Sequence, residues 1–189
     1  MEKHIIFALA MILFLSIAPA HGQYYSGTVT PRPRPEKMTR LHFFFHDIIS
    51  GKNPTAVLIA RPDNSSSPFG RLYAIDDPLT VGPELTSMVI GNAQGLYLSL
   101  SRDPSLFTAV LYVDFAFTSG RFNGSSFSLF SRYAAVEYDG AAEPEREMAI
   151  VGGRGAFRMA RGFAQTRGIS TNATTGDAIT EFNVTLYHY

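Results

Sequence analysis

The stretch "RLHFFFHDIISG" (Arg40 to Gly51) sets a carboxylate at the end of a row of aromatics. Side chains on a strand alternate between faces, so Leu41, Phe43, Phe45 and Asp47 share one face. A carboxyl held against an aromatic wall is poorly solvated, so its pKa rises and it becomes a proton donor near neutral pH. The competing role for Asp47 is an ordinary one, capping the strand end by bonding to the "SGKN" turn that follows. Two further carboxylates sit among apolar residues, Asp77 in "IDDP" and Asp114 in "YVDFAF". Asp76 and Asp77 also read as a turn ahead of Pro78.

Other chemistries are excluded or weak. The chain has no cysteine, which removes thiol catalysis, thiolate metal sites and disulfide redox chemistry. His42 and His46 have the spacing of a zinc pair, but that spacing works on a helix. On a strand they lie about 13 Å apart, and one zinc needs both nitrogens at about 2 Å. No metal and no cofactor is expected. "VGGRGAF" lacks the Lys-Ser/Thr of a phosphate loop and reads as a hairpin. A formal net charge of zero argues against nucleic acid or an anionic membrane as partner.

The elements that must position these groups are short and extended. Strands are expected near 41–48, 55–61, 69–76, 94–101, 107–117, 125–133, 146–152, 156–166 and 178–187, separated by Gly-, Asn- and Pro-rich turns. Longer loops are expected at 78–92 and 134–145. Phe107, Leu111, Val113, Phe115 and Phe117 fall on one face of their strand, Val110, Tyr112 and Asp114 on the other. Two-faced strands with tight turns suit a sandwich or an up-and-down barrel. Closure of a sheet also removes edge strands, which suits a chain without disulfides.

The first residues, "MEKHIIFALAMILFLSIAPAHGQ", have a basic start, an apolar run and a small-residue cleavage site. They predict a secretory signal peptide over 1–22 and an exported product. A Pro-rich basic arm follows over 23–40, then a single domain over 41–189. For an exported chain, Asn64, Asn123, Asn172 and Asn183 head glycosylation sequons, while Asn53 is excluded by Pro54.

The blocks "HFFFHDIISGKNPTAV", "FGRLYAIDDPLTVGPELTSMVIGNAQGLY", "DFAFTSGRFNGSSFSLFSR" and "REMAIVGGRGAFRMARGFAQT", with the terminal "GDAITEFNVTLYHY", resemble the plant dirigent family in order and spacing. The resemblance implies an all-β fold, an eight-stranded antiparallel up-and-down β-barrel similar to that of allene oxide cyclase. It also implies a homo-oligomer, a trimer or else a dimer, in the extracellular space of the plant apoplast. The implied function is to bind phenylpropanoid-type phenoxy radicals or quinone methides and impose stereoselectivity on their coupling, as in lignan formation. A separate laccase or peroxidase would do the oxidation. The alternative is a lyase or cyclase of pterocarpan-synthase type acting on an isoflavanol-derived quinone methide. On this resemblance Asp47 is the catalytic pocket carboxylate, and Phe43, Phe45, Tyr133, Arg146 and Asp77 contact the phenolic substrate. Tyr133 stands where lignan-forming members carry a second Asp, which places the chain nearer the pterocarpan-synthase branch. For Arg146 a salt bridge at the strand start is the competing role.

Overall fold

The computed structural model describes residues 4, 26–30, 34–62, 67–103, 108–133 and 145–189. The expected signal peptide apart from residue 4, the Asn64 sequon, Phe107 and most of the 134–145 loop lie outside the described residues. Residues 26–30 are exposed and take no regular structure.

Nine strands follow one another through the rest: β1 (Lys37–Asp47), β2 (Ala56–Ala60), β3 (Leu72–Thr80), β4 (Val89–Ser99), β5 (Ala109–Phe117), β6 (Ser126–Tyr133), β7 (Arg146–Arg154), β8 (Arg161–Thr171) and β9 (Ala178–His188). Their order in the sheet is β1-β9-β8-β7-β6-β5-β4-β3-β2, and β1 also pairs with β3. That extra pairing closes eight antiparallel strands into a barrel and leaves β2 as an added strand on β3. Two short 3₁₀ turns, Gly120–Phe122 and Gly155–Phe157, are the helical elements of this region.

Several boundaries depart from the sequence reading for physical reasons. β1 begins at Lys37, inside the expected arm, because β9 offers it partners down to Lys37 opposite His188. β3 continues through Pro78 to Thr80 and β4 starts at Val89, so the expected 78–92 loop shrinks to 81–88. Proline is tolerated in a strand only where its missing N–H deprives no neighbour of a bond. The Asp76 N–H bonds the Thr55 carbonyl beside β2, and alternation points the Pro78 nitrogen to the same side. There β2 has already ended and β1 pairs only from Leu79 onward. Pro78 therefore occupies the gap between two neighbours. The segment 156–166 is also not one strand, since the 3₁₀ turn precedes β8 at Arg161.

The closure is pinned by side chains as well as by Phe44 opposite Thr80 and Phe45 opposite Leu79. The Thr80 hydroxyl donates to the Gly82 carbonyl at 2.7 Å, so it accepts from His46 Nε2–H at 2.6 Å. His46 is fully buried, and burial lowers its pKa. It serves as a neutral clasp on the seam. Tight curvature shows at Gly95, where a Cβ would stand 2.0 Å from the Tyr112 carbonyl of the neighbouring strand. Only glycine lets the backbones approach this closely.

Alternation sends one face of each strand inward. Phe43, Phe115, Phe127, Leu129, Val113 and Leu186 are all nearly inaccessible. Phe43 stacks on Phe182 with ring centroids at 5.5 Å, and Phe115 on Phe127 at 4.9 Å. Phe157, from the second 3₁₀ turn, packs on Phe122 at 4.7 Å and shuts the end where β5 meets β6 and β7 meets β8. The other end carries the polar residues.

Candidate functional site

The polar end is built from the last residue of β1, the middle of β3 and the facing part of β4. In the antiparallel register of Phe44 with Thr80 and Phe45 with Leu79, two more residues along β1 bring Asp47 opposite Asp77. Both carboxyls lie on the inward face, since Tyr73, Ile75, Asp77 and Leu79 alternate together and Asp47 follows Phe43 and Phe45. Asp77 is fully buried. Neither of its oxygens has a hydrogen-bond partner, and the same holds for Asp47 Oδ1. The Thr55 hydroxyl acts to lower the Asp77 pKa, but its hydrogen bond runs to the His46 carbonyl at 3.3 Å.

Electrostatics follow from this burial. Asp47 is pushed up to about 6 by burial and then by the charge of Asp177. Asp77 is pushed up to about 8 by burial and then by the charge of Asp47. Two interacting carboxyls titrate as a unit, so the pair keeps one proton across the range between those values. Tyr97 lies within the same field. Its phenol is raised by burial and then by Asp47, Tyr73 and Asp77, and its ring stacks on Tyr73 at 4.7 Å.

The turn after β1 is capped, but by another residue. Asp177 accepts the N–H groups of Ile49 and Ser50, both at 2.9 Å, and the Ser50 hydroxyl at 2.6 Å. The Ser50 hydroxyl, with the other donors, holds the Asp177 carboxyl down at about 2. Asp47 is thus free of the capping work that a lone sequence would assign to it.

The other candidates separate into groups. The Arg146 guanidinium lies over the Tyr133 ring, 4.6 Å from its centroid, and both belong to the polar end by the register of β6 with β5 and β7 with β8. Phe45 touches Phe115 and Phe182. Phe43 is deeper, enclosed by Phe115, Phe117, Phe127 and Phe182, so it belongs to the packed core. Asp114 points outward, bound by the Ser128 hydroxyl at 2.8 Å and Arg154 at 2.6 Å. His42 donates to or pairs with Glu181 at 2.8 Å on the outer surface, far in role from His46. Among the described residues no three His, Asp or Glu gather as a metal site. Asn123, Asn172 and Asn183 are exposed, the last on a strand and not in a turn.

The turn reading of Asp76-Asp77 is corrected by β3, which runs straight through both. Tyr73 and Tyr97 were not singled out by sequence. Their signal was available, because Tyr97 shares a face with Ala93 and Tyr73 with Asp77, but neither residue breaks the apolar pattern. The second carboxylate is also differently placed. Tyr133 occupies the position where one was sought, and β3 supplies Asp77 instead.

Residues 38–187 match the family described as "Dirigent-like protein". The chain belongs to the dirigent family. It is 48% identical over 194 residues to "Dirigent protein 15" of Arabidopsis thaliana, covering all of both chains. It is 46% identical over 189 residues to "Pterocarpan synthase 1" of Glycine max, covering 97% of each. The solved structure of a pterocarpan synthase dirigent protein superposes with a TM-score of 0.72 at 44% identity, over 84% of this chain and 89% of that one. Dirigent membership fits the closed eight-stranded barrel, and the relatives include proteins named as pterocarpan synthases as well as proteins named only as dirigent proteins.

Proposed function

We propose that this dirigent barrel binds an aromatic quinone methide at its carboxylate end and steers ring closure by proton transfer, as a lyase or cyclase of the pterocarpan-synthase kind. The observation that carries the reading is the Asp47–Asp77 pair, two inward carboxyls whose pKa values of about 6 and about 8 leave one proton between them near neutrality. Environments that push two titratable groups apart are how one site holds both an acid and a base. Asp77, with the higher value, keeps the proton and donates it to the quinone-methide carbonyl oxygen. The ring regains aromaticity as a phenol while a hydroxyl of the same substrate attacks the exocyclic carbon. That hydroxyl gives its proton to the Asp47 carboxylate. One C–O bond forms, one proton leaves Asp77 and one reaches Asp47, and no electrons are exchanged with a third party. Phe45 and the stacked Tyr73 and Tyr97 rings supply flat apolar surface, and Arg146 on Tyr133 closes another side.

A second reading is stereoselective coupling of phenoxy radicals, with oxidation by a separate laccase or peroxidase. The aromatic surfaces favour it, since they can hold two phenolic rings in one relative orientation. An isoflavanol loses its benzylic hydroxyl and a phenolic proton as water to become the quinone methide, with no redox change. An isoflavanol assay without oxidant, followed by chiral chromatography, therefore decides between the two. Turnover to one enantiomer without oxidase supports the lyase. Selectivity that arises only when laccase is added to monolignols replaces it with the coupling role.

The apolar leader supports export to the extracellular space. A homo-oligomer, as a trimer, is supported by an outer row in which Leu96, Tyr112 and Phe130 are paired side by side and are 38%, 50% and 55% exposed. Apolar rows of this kind are covered in assemblies. The Asn183 sequon is on β9, across the ring from β5, so a glycan there leaves the row clear. Light scattering should return an oligomer at micromolar concentration and a monomer for the Tyr112→Lys/Phe130→Lys double variant. A monomer mass for the unmodified protein would remove the assembly proposal.

A further inference from the structure

The carboxylate end is one of two places where this barrel offers aromatic surface. At the closed end, a crevice of about 310 Å³ opens between β1, the start of β4 and the turn that follows β5. Leu41, Phe43, Ile90, Phe117 and Phe122 give it apolar walls, and Ser119 and Arg121 form the polar rim. The volume is at the lower end for small-molecule pockets, which run from about 300 to 1,000 Å³. It has room for one ring and a short chain.

The rim fixes the sign of the charge. The Arg121 guanidinium rests on the Phe122 ring at 5.2 Å and has no carboxylate partner among the described residues, whereas Arg154, Arg161 and Arg167 each have one. His42 also faces the crevice, but Glu181 engages it. The net field at the mouth therefore comes from Arg121, and Ser119 adds a hydroxyl donor. A cation lying on an aromatic face, with no carboxylate partner among the described residues, is suited to an anion that can also meet the ring wall.

We infer that this crevice is a second ligand site, taking a single-ring aromatic carboxylate, with the ring among the part-exposed Leu41, Ile90 and Phe122 and the carboxylate on Arg121 and Ser119. The carboxylate end cannot serve the same ligand, because Asp47 and Asp77 oppose an anion. The two sites are therefore separable by chemistry as well as by position.

The test is calorimetric titration of the full chain with cinnamate, which has no phenol and so cannot become a quinone methide. Cinnamyl alcohol and hexanoate serve as the neutral and the aliphatic comparison. Saturable cinnamate binding is expected, weakened about tenfold or more in Arg121→Gln, as expected for loss of a charge-assisted contact, and partly kept in Arg121→Lys. It should be unchanged in the Asp47→Asn/Asp77→Asn double variant, and Arg121→Gln should turn over substrate at the other end normally. The site is refuted if cinnamate gives no saturable heat, or if binding is lost in the double Asp variant and kept in Arg121→Gln. Equal affinity for hexanoate or cinnamyl alcohol would refute the ligand class.

Discussion

The two ends of this barrel are made by the same alternation and do opposite things. At the closed end the inward positions are phenylalanines meeting phenylalanines, with Phe115 and Phe127 nearly parallel at 4.9 Å and Phe157 sealing the base. At the other end the inward positions of β1 and β3 become Asp47 and Asp77, with unpartnered buried oxygens. A buried carboxyl without a hydrogen bond costs stability, and the group escapes part of that cost by keeping its proton. The aromatic end offsets the cost, so a small barrel without disulfides can carry a destabilising pair. Stability and chemistry are divided along one axis.

The division is broken most severely from the closed end. Phe127→Ala removes a fully buried ring and should lower unfolding free energy by about 3–5 kcal/mol, read from denaturant midpoints. The activity of the molecules that remain folded should be intact. If instead stability holds and activity falls, the two ends are not separate.

From the other end, Asp47→Asn keeps the shape and removes the proton acceptor. Conversion or stereoselectivity should fall about a hundredfold or more, equivalent to about 2.7 kcal/mol of barrier. The thermal midpoint should barely move. Initial rates, chiral product analysis and a melting curve on one preparation test this, and unchanged product stereochemistry would remove Asp47 from the reaction.

How far these ends were legible in the sequence depends on how strongly each residue broke a pattern. Asp47 was visible because three aromatics led up to it. The phenylalanine core of β5 and β6 was visible from alternation, and the family blocks supplied the eight-stranded closure that no local pattern encodes. Asp77 was half hidden. Its face-sharing with Tyr73 and Ile75 pointed inward, but Pro78 signalled a turn, and only the change of neighbour from β2 to β1 explains why a proline fits there. Asp177 as the true cap of the 48–51 turn was not legible, because it contacts Ser50 across 127 residues of chain. Tyr97 was hidden for another reason, since an inward tyrosine reads as core.

A smaller effect sharpens the same comparison through pH. Asp77 has a folded pKa of about 8 against an ordinary value of 3.8, so the folded protein holds a proton that the unfolded chain has released. Stability from this group is therefore fully present below about pH 4 and is lost as pH rises to about 8. Asp77→Asn removes that dependence. It should raise stability by about 1–2 kcal/mol at pH 8 and bring little or no gain at pH 4, while activity is lost. A variant that melts earlier at both pH values would show that Asp77 is a stabilising partner, and the division of labour would fail at its central residue.

The smallest effect is expected on the barrel's outside, where neither end is involved. Arg154 is 75% exposed where it meets Asp114 at 2.6 Å, and water competes for both groups. Exposed pairs contribute about 0–1 kcal/mol. Asp114 also keeps the Ser128 hydroxyl if Arg154 is removed, so it is not left bare, although Ser126 loses the Arg154 Nε contact at 3.0 Å. Arg154→Gln should therefore cost under about 1 kcal/mol, shrinking further in high salt as screening grows. Urea midpoints at low and high ionic strength measure this directly. A loss approaching that of Phe127→Ala would mean that the outer ion pair, and not the aromatic end, sustains the buried carboxyls. The comparison between the two ends would then have to be redrawn as one between inside and outside.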